Sequence, residues 1–124
     1  MNKSAPLKFY QRDDGILVFE FFVLHKPAAD LFERIVLAGM DNQPQKIRVM
    51  YDFSQSPPPT PYFLKIQGKL YNDFPHPPDE KSAYVTNRQT SDVWVNIIRS
   101  YLTAKDVMRT FISQDAAIQW LLED

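Results

Sequence analysis

At 124 residues, 44% hydrophobic and 23% charged, the chain (residues 1–124) has the length and composition of one globular domain rather than two or a disordered segment. Lys plus Arg number 14 against 15 for Asp plus Glu, a net charge of −1 that leaves no electrostatic footprint for nucleic acid or an anionic membrane surface. The lack of cysteine excludes disulfides, thiolate nucleophiles and cysteine-ligated metals. With no signal-like N-terminus and no apolar run long enough for an integral membrane segment, the expected location is the cytoplasm.

"LKFYQR" (7–12) alternates and runs into Asp14-Gly15, a strong hairpin turn signal, so a first strand is predicted to fold back on a second. That second strand, "ILVFEFFVL" (16–24), is apolar on both faces apart from Glu20, as suits a strand covered from both sides. Pro27 opens a helix in which Leu31, Phe32, Ile35 and Val36 share one stripe, and Gly39 marks its end. "KIRVMYDF" (46–53) is a third strand carrying the lone charge Arg48.

A proline-rich connection follows, "SQSPPPTP" (54–61), and Thr60-Pro61 reads as an N-cap with a first-turn proline. The second helix places Phe63, Ile66, Leu70 and Phe74 on one face, and "PHPPDE" (75–80) ends it. "KSAYVT" (81–86) is a short strand closing at Thr86. "SDVWVNIIRSYLT" (91–103) is a third helix with Val93, Trp94, Ile97, Ile98, Tyr101 and Leu102 along a stripe. "VMRTFI" (107–112) is the fifth strand, and Ser113 with Asp115 starts a last helix. The order ββαβαβαβα predicts an α/β fold with one mostly parallel five-stranded sheet and an antiparallel N-terminal strand.

This order, on a chain of this length, resembles the STAS and SpoIIAA-like group of small α/β domains, the fold of anti-sigma factor antagonists. The most specific part is "VMRTFISQDAAIQWLLED", which is similar to the closing strand and helix of the SpoIIAA-like branch through Phe111, Ala116, Ala117, Trp120 and Leu121. "DDGILVFEF" looks like that group's opening hairpin and "RVMYDFS" like its third strand. The resemblance implies a non-enzymatic module that acts through a protein partner or self-association, with a homodimer among the options. A looser likeness in layout to CRAL/TRIO lipid-binding domains keeps a carrier of an apolar small molecule as the alternative.

In the switch-type relatives an Asp-x-Ser-Gly pattern places a phosphorylated serine at the start of the helix after the third strand. Asp52, Phe53 and Ser54 match it, Gln55 replaces the glycine, and Ser56 to Pro61 delay the helix. Asp52, Ser54 and Thr86, at the carboxyl ends of neighbouring strands, are therefore the candidate ligand or switch site, against the plainer reading of polar strand ends. A hydrolase built on Ser54 with His25 is the least favoured reading, because no glycine elbow precedes the serine. No catalytic residues are assigned.

Two histidines, His25 and His76, without ligand spacing assign no metal site, and three glycines form no phosphate-cradling loop, so no cofactor is expected. Glu20 and Arg48, lone charges in strands that would be neighbours, are a candidate ion pair, against the reading that both lie on a partly open face. The aromatic residues exceed what a minimal core needs, and Tyr62, Phe63 and Tyr71, between the two proline clusters, are the candidate interaction surface.

Overall fold

The computed structural model describes residues 5–38, 46–73, 79–101 and 108–123. Their elements follow in the expected order: β1 (Leu7–Gln11), β2 (Leu17–Phe21), α1 (Lys26–Ala38), β3 (Lys46–Asp52), α2 (Pro61–Asp73), β4 (Asp79–Val85), α3 (Ser91–Tyr101), β5 (Met108–Phe111) and α4 (Gln114–Leu122). The five strands form one sheet in the order β1-β2-β3-β4-β5, with β1 antiparallel to β2 and every other pair parallel.

The hairpin closes as its turn residues dictate. Gly15 takes a φ of 92°, in the left-handed region that a side chain disfavours. Asp14 Oδ1 accepts from Ile16 N (3.2 Å), and Arg12 N donates to Ile16 O (2.8 Å) to start the ladder. The three parallel crossovers all step in one direction across the sheet. Right-handed connections of that kind put their helices on one face, so α1, α2 and α3 form a single layer. The chain then ends with α4 after the edge strand β5, and α4 packs on the opposite face.

Two cores result. Under the three-helix layer, Phe19, Phe21, Val49, Phe53 and Tyr84 from the sheet meet Phe32, Phe63 and Trp94 from the helices. Under α4, Ile16, Val18, Met50, Ala83 and Val85 meet Ala117, Trp120 and Leu121. The continuous apolarity of β2 has its explanation here, since Val18 and Phe19 are both buried on opposite faces. The aromatic rings are largely core packing: Phe53 stacks on Trp94 (centroids 3.9 Å) and on Phe21 (4.7 Å), and Phe63 meets Phe21 edge-on (5.4 Å). Among the described residues, no helix is long and apolar enough to cross a membrane.

Candidate functional site

The carboxyl ends of β2, β3, β4 and β5 share one rim of the sheet, where the loops leading into the four helices begin. Glu20 and Asp52 stand side by side there, because the parallel register of β2 and β3 pairs these two residues. Both point to the α4 face. Gln114, the first residue of α4, lies over them, and its Nε2 donates to Asp52 Oδ2 (2.5 Å) and to Glu20 Oε2 (3.1 Å). Tyr10, on the neighbouring strand β1, donates its hydroxyl to Glu20 Oε2 (3.2 Å). Burial, and next the negative charge of Glu20, hold the Tyr10 phenol above its ordinary pKa. Two adjacent carboxylates are thus bridged by a neutral amide, and among the described residues neither forms an ion pair.

Asp52 is 5% exposed and also shapes the proline loop. Its Oδ1 accepts from Ser54 N (2.8 Å), the local bond by which an aspartate turns the chain at a strand end. Asn87, just after β4, donates Nδ2 to Ser54 O (3.1 Å), so the Ser54 backbone is held from two sides while its side chain stays half-exposed. Ser56 is buried, with its hydroxyl on Phe53 O (3.1 Å) and Pro57 O (3.2 Å). Thr60 caps α2 as expected: Oγ1 accepts from Phe63 N (3.2 Å) and donates to Leu24 O (2.7 Å), tying the loop to the β2–α1 connection. Gln55, Pro57 and Pro58 are left exposed on a loop fixed at both ends and near its middle.

The other sequence candidates fall in different places. Thr86 is fully buried and its backbone N–H donates to Phe111 O (2.8 Å), so it joins β4 to β5 beneath the rim rather than lining it. His25 accepts from Ala28 N (3.2 Å) through Nδ1 and caps α1; no contact joins it to Ser54. His76 lies outside the described residues. Among the described residues no group of three metal-ligating side chains gathers.

The Glu20–Arg48 pair does not form. Glu20 is level with Asp52, whereas Arg48 is four residues earlier on β3, about 13 Å along the strand, and paired in register with Lys81. The Arg48 side chain, 9% exposed, donates to Leu121 O (3.0 Å) at the end of α4, to Ile47 O (2.9 Å) and to Asp79 Oδ1 (2.7 Å). It fastens α4 to the amino end of the sheet, and it holds the Asp79 carboxyl below its ordinary pKa. The proposed aromatic surface is corrected as well. Phe63 is 0% exposed in the core, as the Phe63–Ile66–Leu70 stripe requires. Tyr62, one position round the helix, reaches the surface: its hydroxyl donates to Asp30 Oδ1 (2.6 Å) and Lys26 Nζ lies over its ring (5.1 Å). The Tyr71 side chain lies outside the described residues.

Gln114, Asn87 and Tyr10 were not marked from sequence. Gln114 had a signal, since it follows the capping Ser113 at the carboxyl end of a strand, where a polar side chain meets the neighbouring strand ends. Asn87 had one too, as the residue beyond β4 that accepts from Gln89 N (3.0 Å) and Thr90 N (2.9 Å) ahead of α3.

No family model matches the chain, and no curated protein matches it. Among solved structures, an anti-sigma factor antagonist from Mycobacterium paratuberculosis is similar, with a TM-score of 0.64 over 98% of this chain and 100% of that one at 13% sequence identity. At that identity the likeness shows the fold alone, and it is the fold expected from the sequence.

Proposed function

We propose that the protein is a non-catalytic regulatory module that binds a protein partner on the rim formed by the carboxyl ends of β2–β5. The observation that carries this reading is the fixed proline loop. Asp52, Asn87, Ser56 and Thr60 hold its backbone while Gln55, Pro57 and Pro58 stay exposed, a preorganised ledge that loses little entropy on docking. Behind the ledge the Glu20–Asp52 carboxylates, joined only through Gln114, favour a partner with basic side chains. The shared fold with a protein named as the antagonist of another protein supports the same class of role. Ser54 is the switch position within this reading. A phosphate there would sit beside the Asp52 carboxylate that holds Ser54 N, and repulsion would open the ledge.

The test is photo-crosslinking in native cells from positions 55 and 58, with Arg34 on α1 as the control position. The expected result is one protein crosslinked from both rim positions, at normal yield from neither when Gln114→Ala is present. Equal crosslinking from the control position overturns the reading. A serine-directed fluorophosphonate that labels the wild type but not Ser54→Ala overturns the absence of catalysis.

One observation favours the second reading, a carrier of a small apolar molecule. Gln67 Oε1 and Trp94 Nε1 are each buried in the layer between the helices and β4 without a hydrogen-bond partner, the kind of orphaned polar atom that a bound ligand satisfies. A retained ligand mass in native mass spectrometry of freshly isolated protein is what that reading expects.

A further inference from the structure

β1 is an edge strand, and its hydrogen-bonding parity is fixed by its two ends. Phe22 N donates to Pro6 O (3.0 Å) and Arg12 N donates to Ile16 O (2.8 Å), so positions 6 and 12 belong to hydrogen-bonded pairs of the hairpin. Such pairs alternate along an antiparallel ladder. In the register of the hairpin, Lys8 with Glu20 and Tyr10 with Val18 are therefore hydrogen-bonded pairs as well. Leu7, Phe9 and Gln11 occupy the intervening positions, and their N–H and C=O groups point away from β2. Among the described residues no strand pairs with that outer edge.

Three outward positions centred on Phe9 make the edge self-complementary. Under a two-fold axis through Phe9, antiparallel pairing brings Phe9 against Phe9 of the second copy and Leu7 against Gln11, each as a hydrogen-bonded pair. The side chains agree with the backbone on both faces. On the three-helix face Phe9 is 41% exposed, although its ring already leans on Phe19 (4.6 Å); the second Phe9 would cover it. On the α4 face Lys8 comes opposite Tyr10 of the second copy. Lys8 Nζ already lies over the Tyr10 ring of its own strand (5.3 Å), and the phenol is anchored on Glu20 (3.2 Å). Each lysine thus gains an aromatic face with a carboxylate behind it, and the two lysines lie on a diagonal rather than opposite each other.

We propose that two copies of the chain associate through their β1 edges, antiparallel and centred on Phe9, to form a continuous ten-stranded sheet. A second copy suits this edge better than an unrelated strand because it supplies the matching phenylalanine and the crossed Lys8–Tyr10 contacts from one operation. The edge shares Tyr10 and Glu20 with the rim but none of the proline loop, so the dimer leaves the ledge of Gln55, Pro57 and Pro58 free. An edge contact is small by the standard of stable complexes, which makes the dimer weak and concentration-dependent.

Sedimentation equilibrium of the full chain, up to about 1 mM, tests this together with amide hydrogen exchange. The expected mass rises from 14.5 kDa toward twice that value. Over the same range the amides of Leu7, Phe9 and Gln11 gain protection while those of Lys8 and Tyr10 do not change. Phe9→Lys sets like charges face to face on the axis and is expected to weaken association by about tenfold or more. Gln11→Pro removes an outward N–H that the chain's own ladder does not use, and is expected to weaken it while circular dichroism stays that of the wild type. A monomer throughout the range overturns the proposal. So does a dimer in which the amides of residues 7, 9 and 11 exchange as they do at dilution, since it must then use another surface. Protection of those amides only when a different protein is added would assign the edge to that protein and overturn it equally.

Discussion

Replacing Gln114 with glutamate sets two rules against each other. Position 114 is the first residue of α4, where a negative charge meets the positive end of the helix dipole, and on that ground alone Gln114→Glu stabilises by about 0.5 kcal/mol. The site predicts the opposite. The wild-type amide donates to two carboxylates, at 2.5 and 3.1 Å, and each bond to a charged acceptor contributes about 1.5–3 kcal/mol. The variant loses both bonds and places a third carboxylate beside the first two. A unit charge pair at such range interacts by about 4 kcal/mol near a protein surface. Because residue 114 is only half-buried, the new side chain relieves much of this by turning outward, so the net loss is about 2–4 kcal/mol at pH 7. Urea denaturation reads that as a midpoint lowered by about 1–2 M with the slope unchanged. The pH dependence fixes the cause. The introduced carboxyl has a higher pKa in the folded state than its unfolded value of about 4.3. The folded variant therefore binds more protons, and its deficit against the wild type grows as pH rises from that value to the raised folded pKa and narrows below it. A variant as stable as the wild type at pH 7, or a deficit that does not change with pH, would refute the bridging role of Gln114.

Arg48→Met removes the nearly buried guanidinium that ties α4 and β4 to β3, and is expected to lose about 2–4 kcal/mol in urea denaturation, clearly more than Asp79→Asn on the exposed side of the pair. A double-mutant cycle of Arg48→Met with Glu20→Gln is expected to show coupling below about 0.5 kcal/mol, since the two side chains do not meet. Phe63→Ala empties a site bounded by Phe21, Phe32 and Phe53 and is expected to cost about 3–5 kcal/mol, well beyond Tyr62→Ala at the surface; equal losses would contradict the helix orientation. Carbon-13 titration should place the Asp79 and Asp30 carboxyls below the ordinary 3.8, Asp79 through its bond from Arg48 and Asp30 through bonds first from Tyr62 and then from Lys26. Both groups then stabilise the fold above that value, and the contribution is lost as pH falls through their lowered midpoints. An Asp79 midpoint that stays put in Arg48→Met would contradict that assignment.

The elements and their order were legible because each depends on neighbours in the chain. Asp14-Gly15 fixed a hairpin through the backbone freedom of one glycine, and Thr60-Pro61 set a helix start through one hydroxyl and one missing N–H. The stripe Phe63–Ile66–Leu70 even identified the buried face of α2, and that period puts Phe63 inside and Tyr62, one step round, at the surface. Strand order and register belong to the tertiary structure. They decide that Glu20 meets Asp52 and that Arg48, four residues away on the same strand, meets Asp79 instead, a difference composition and alternation do not encode. The candidate site is tertiary for the same reason. Gln114 reaches Asp52 from 62 residues away and Glu20 from 94, and only the return of α4 across the opposite face of the sheet brings a single amide over two carboxylates.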